Sequence, residues 1–106
     1  MPYFLIEYQT SNARLRSQGD AYKAAQAARK EYRKALGGRL LVAGPKYRAG
    51  TDEDAVGSIV ILEADSREAA ERDAAADPYY QIGELKDLTV NELIITSFNS
   101  DFKLSR

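Results

Sequence analysis

Residues 66–80 read SREAAERDAAADPYY, an alanine-rich helical stretch closed by Asp77-Pro78-Tyr79. Ser66 is a good N-cap, Glu68 puts negative charge where the first turn favours it, and Ala69 to Ala76 carry the helix for about three turns. Pro78 cannot continue it, because the ring removes a backbone donor and clashes with the preceding turn. Before this helix, Ser58-Ile59-Val60-Ile61-Leu62 is dense in branched side chains and reads as a strand. Earlier still, Leu40 to Ala43 is a short apolar run ended by Gly44-Pro45, which suits a strand stopping at a sharp turn. With a polar loop from Lys46 to Gly57 between them, the two runs read as a hairpin.

Further out, Pro2 to Tyr8 reads as a strand whose continuous apolar centre suggests burial on both faces. Asp20 to Leu36 is rich in Ala, Lys, Arg and Glu and is followed by Gly37-Gly38, the composition and stop of a helix. Tyr79 to Leu88 reads as a connection containing Gly83, Leu88 to Phe98 as a last strand, and 99–106 as a C-terminal tail. The order strand, helix, strand, strand, helix, strand predicts an α+β, ferredoxin-like βαββαβ domain over residues 1–98. In that arrangement a four-stranded antiparallel sheet carries two helices on one face. Its other face needs cover, and a second copy packed sheet to sheet is the simplest cover.

A chain of 106 residues with 44% hydrophobic content fits one domain with one core. Fifteen Lys and Arg balance sixteen Asp and Glu, so no excess charge recommends nucleic acid or an anionic membrane as a partner. With no cysteine and no histidine, thiol nucleophiles, most hydrolytic triads and nearly all zinc chemistry drop out, and neither metal nor cofactor is expected. Met1 to Thr10 lacks the basic lead of a signal peptide, and no stretch nears the roughly 20 apolar residues of a membrane span. The expected location is the cytoplasm.

On the first helix, Tyr22, Ala25, Tyr32 and Leu36 form one stripe at helical spacing, and Arg29 falls inside it. On the second, Asp73 sits among Ala69, Ala70 and Ala76, with Asp77 one turn later. Side-by-side helices would let Arg29, or Arg33 one turn on, meet Asp73 or Asp77. Two readings stand open: a helix–helix salt bridge, or the polar floor of a cleft walled by Tyr8, Tyr32 and Tyr79. The acidic run Asp52-Glu53-Asp54 lacks the ligand spacing of a calcium loop and reads as a solvated loop.

Leu41-Val42-Ala43-Gly44-Pro45, the Gly57-Ser58 entry to the third strand, Ala64-Asp65-Ser66, and Ala76-Asp77-Pro78-Tyr79 followed by Gly83 resemble, in order and spacing, the YCII-related family. The resemblance runs over nearly the whole chain. It implies ferredoxin-like chains that dimerise into an α+β barrel, with a site made of a first-helix histidine and the aspartate of the Asp-Pro motif. Some relatives eliminate chloride from chlorinated hydroxyquinols. The family's histidine position falls on Arg29, its aspartate is Asp77, and Asp73 stands where an apolar residue is usual.

A guanidinium stays protonated near neutral pH and cannot take a proton as imidazole does. The resemblance therefore leads to two expectations. One is a homodimeric, cofactor-independent lyase or isomerase, in which Arg29 steadies a developing oxyanion and Asp77 moves the proton, with Tyr8, Tyr32, Asp73 and Tyr79 holding a small anionic or phenolic substrate. The other is a catalytically silent small-molecule-binding or accessory protein in which Arg29 and Asp77 are a structural ion pair. A cofactor-free monooxygenase of similar dimeric build is a third, which no residue marks.

Overall fold

The computed structural model describes residues 1–11, 19–50 and 55–103, so the acidic run Asp52-Glu53-Asp54 lies outside the described residues. The elements are β1 (Tyr3–Thr10), α1 (Gly19–Leu36), β2 (Leu40–Lys46), β3 (Gly57–Glu63), α2 (Arg67–Ala75), α3 (Pro78–Gln81) and β4 (Leu85–Leu93). The strands form one antiparallel sheet in the order β2-β3-β1-β4, with the first and third strands central, which is the ferredoxin-like α+β fold.

Alternation along the central strands sorts the two faces. Phe4, Ile6 and Tyr8 of β1 and Val60 and Leu62 of β3 are buried with Ala25 and Leu36 of α1 and Ala70 and Ala74 of α2 in one core. Leu5, Ile59 and Ile61 point to the other face and are only half-buried. Within one chain, strand β1 is thus buried fully on its helix side alone, where its composition suggests burial on both faces.

Several boundaries differ from the sequence expectation. Strand β1 runs on to Thr10, and β2 does not stop at Gly44-Pro45 but continues through both to Lys46, opposite Ile59, Ser58 and Gly57, because it is an edge strand, where a proline is tolerated. Ser66 caps α2 by accepting the Ala69 N–H at 3.1 Å, but Ala74 rather than the exposed Ala76 completes the buried face. Pro78 does not merely stop that helix; it occupies the first position of α3, and Asp77 caps α3 by accepting the Tyr79 N–H at 2.9 Å. Strand β4 starts three residues early, at Leu85, and ends at Leu93, so residues 94–98 lie beyond the sheet.

The early start of β4 rests on a bulge. Glu7 pairs with Thr89 but Gln9 pairs with Lys86, and Asp87 within the extra length has φ 52°, the left-handed conformation typical of such bulges. The extra residue restores parity, so Leu85 and Val90, an odd number apart, both reach the core. Gly57 is required where β3 begins: a Cβ there would lie 2.2 Å from the Tyr8 carbonyl oxygen and 2.7 Å from the Lys46 Cε. No helix among the described residues is long and apolar enough to cross a membrane.

Candidate functional site

The stripe on α1 faces α2, α3 and the sheet, and it brings Arg29 to the Asp-Pro corner. Arg29 Nε donates to Asp77 Oδ2 at 3.1 Å, its Nη2 lies 3.1 Å from the same oxygen, and Nη2 also donates to Ser58 Oγ at 3.4 Å. The guanidinium covers the face of Tyr79, with Cζ 4.3 Å from the ring centroid. Tyr79 stacks in turn on Tyr22 at 5.3 Å. Asp77 is 1% exposed, with Oδ1 on the Tyr79 N–H and Oδ2 on Arg29. One carboxylate therefore caps α3 and ties α1 to it.

Asp73 takes another partner. Arg39, in the turn after α1, donates from Nη1 to Asp73 Oδ2 at 2.8 Å and to the Glu63 carbonyl at 3.2 Å. That hydrogen bond is the first cause of the raised proton affinity of Arg39. Arg33 meets neither Asp73 nor Asp77. The Tyr8 hydroxyl donates to the Ala74 carbonyl at 2.8 Å and the Tyr32 hydroxyl to the Asp73 carbonyl, so both pin α2. Burial pushes the Tyr8 phenol far up, with Tyr32 and Asp77 adding to it. Burial, then Asp77 and Asp73, pushes the Tyr32 phenol up to about 12. Both remain neutral donors near neutral pH.

Beside the ion pair, between α1, the loop end of the β2–β3 hairpin and α3, lies a cavity of about 190 Å³. Arg29, Arg33, Ser58 and Tyr79 line it with Pro45 and Leu85. Of the six residues singled out in the sequence, Arg29 and Tyr79 line this space; Asp77 backs it through Arg29, and Tyr8, Tyr32 and Asp73 do not line it. Arg33 and Ser58 are the additions. Ser58 was visible as half of the Gly57-Ser58 entry, but nothing in spacing said that the polar entry turns inward. Burial, with the neighbouring Arg29 second, lowers the proton affinity of Arg33. Among the described residues no cluster of three acidic side chains is placed to hold a metal ion.

The family model of the YCII-related domain matches residues 1–94. Among solved structures, 5-chloro-2-hydroxyhydroquinone dehydrochlorinase from Burkholderia phenoliruptrix, in complex with 2,5-dihydroxybenzoquinone, superposes with a TM-score of 0.70. It is 26% identical, over 87% of this chain and 93% of that one. Among curated proteins no relative is found.

Proposed function

The chain belongs to the YCII-related family, and on that premise we propose that it is a homodimeric protein that binds a small anionic or phenolic organic molecule in the Arg29 cavity without turning it over. The observation that carries this reading is the engagement of Asp77: buried, both oxygens held, and screened from the cavity by the guanidinium it neutralises. A base must reach the proton it removes, and among the described residues this carboxylate bonds only Arg29 and the Tyr79 backbone N–H. Two tyrosines that feel its charge, Tyr8 and Tyr32, are held to carbonyls with their protons retained. What remains in the cavity is a cationic and aromatic lining suited to holding negative charge.

Support for the homodimer comes from the sheet face away from the helices. There an apolar groove of about 560 Å³ is lined by Val42, Ile61, Leu93 and residues 94–98. Val42 is 51% exposed and Phe98 82% exposed, and such surface favours burial against a second sheet.

A second reading is favoured by the dehydrochlorinase likeness. In it Arg29 steadies negative charge on a phenolic oxygen, and Asp77 leaves the arginine to carry the proton. Two assays on one preparation separate the readings. Titration calorimetry with 2,5-dihydroxybenzoquinone is expected to give saturable binding, one molecule per chain. Incubation with 5-chloro-2-hydroxyhydroquinone is expected to release chloride no faster than buffer does. Chloride release that vanishes in Asp77→Asn, at unchanged fold, would replace the first reading by the second.

A further inference from the structure

Arg29 and Arg33 stand one turn apart on the same face of α1 and both line the cavity, but their circumstances differ. Arg29 has spent two nitrogens on Asp77 and Ser58 and its flat face on Tyr79. Arg33 is half-buried, with no ion pair or hydrogen bond to any described residue. Two guanidiniums thus face the cavity, and Asp77 is bonded to Arg29 and acts on Arg33 only at a distance, so Arg33 has no ion-pair partner of its own among the described residues in this partly desolvated place. A half-buried cation without a counter-ion is costly unless a ligand supplies one. Burial and Arg29 weaken its hold on its own proton, which points the same way.

We propose that Arg33 selects a carboxylate, so that the molecule held in this cavity is a one-ring organic acid rather than a neutral phenol. This rests on the cavity being the binding site, as proposed above. A planar guanidinium fork matches a carboxylate through two parallel hydrogen bonds, whereas a lone phenolic oxygen offers one acceptor atom. The volume of about 190 Å³, at about 30 Å³ of liquid per water, is room for roughly six waters, the scale of a single ring with one substituent. Tyr79, Pro45 and Leu85 give that ring apolar and aromatic walls, while Ser58 adds a hydroxyl beside Arg29.

The test uses benzoate and benzamide, which share a ring and differ in charge, titrated into ¹⁵N-labelled full-length protein and followed by amide shifts at Gly57, Ser58 and Tyr79. Wild type should bind benzoate about tenfold or more tightly than benzamide, the scale of one charge-assisted hydrogen-bond pair. Arg33→Met, which keeps the aliphatic stem, should lose that preference while its benzamide affinity stays within about twofold. Arg33→Lys, which keeps the charge and loses the fork, should fall between them. A benzoate preference that survives in Arg33→Met overturns the assignment. If 2,5-dihydroxybenzoquinone shifts these amides but wild type does not favour benzoate over benzamide, the carboxylate claim fails and the cavity reading stands. If none of the three probes shifts these amides, both fail.

Discussion

The Asp77 carboxylate divides its two oxygens between a backbone cap and a cation, and the two can be separated by chemistry. Asn is as good an N-cap as Asp, so Asp77→Asn keeps the Tyr79 N–H satisfied and removes only the charge facing Arg29. Stranding a buried guanidinium in this way should lower stability by about 3–5 kcal/mol, read as a fall in the urea midpoint at unchanged slope. A loss below about 1 kcal/mol would mean that solvent already screens the pair. Both partners stood out in the sequence because each broke a local pattern, Arg29 inside an apolar stripe and Asp77 ahead of a proline. Asp73 broke a pattern too, but its partner Arg39 sits in a Gly-Gly-Arg turn with no periodicity to announce which way it reaches. Arg33 was legible only as a rival partner for the same carboxylates. What marks it is a lack of partners in space, which residue spacing does not encode.

Among the elements, α1, α2 and the two central strands follow from hydrophobic period and caps, and these are the ones that bury the core. The short helix α3 went unread because Pro78 served as a stop, when the Asp-Pro pair equally spells a cap and first position. Strand β4 went partly unread because Lys86 and Asp87 are polar and the bulge breaks the alternation that identifies strands. Gly57 supports the hairpin end that forms one wall of the cavity. Gly57→Ala must displace both the Lys46 side chain, which is flexible, and the Tyr8 carbonyl, which makes the β1 backbone the obstacle. The expected cost is about 1–3 kcal/mol in chemical denaturation. Stability within a few tenths of wild type would show that β1 and β3 separate more readily there than their register implies.

For the molecule as a whole, one face of the sheet is closed by helices and the other is left to Leu5, Ile59, Ile61 and Val42. A domain of this size buries only about two-thirds of its unfolded surface, so covering that face with a second copy would add appreciably to its stability. Light scattering at micromolar concentration should give twice 11.8 kDa, and Val42→Glu, placing charge in the groove, should halve it. A monomeric wild type would leave the groove without the proposed cover.

The same packing sets the site apart from the proposed dimer face: the cavity opens on the helix side, with Arg29 and Arg33 as its charged lining and Asp77 behind. The claim that binds these levels together is that the arginines meet the ligand while Asp77 stays with Arg29. A crystal structure of the protein soaked with 2,5-dihydroxybenzoquinone measures this directly. The account predicts the molecule against Arg29, Arg33 and Tyr79, with Asp77 still on the Arg29 guanidinium and the Tyr79 N–H. A molecule lodged elsewhere, or an Asp77 carboxylate turned away from Arg29 onto the bound ring, would contradict it.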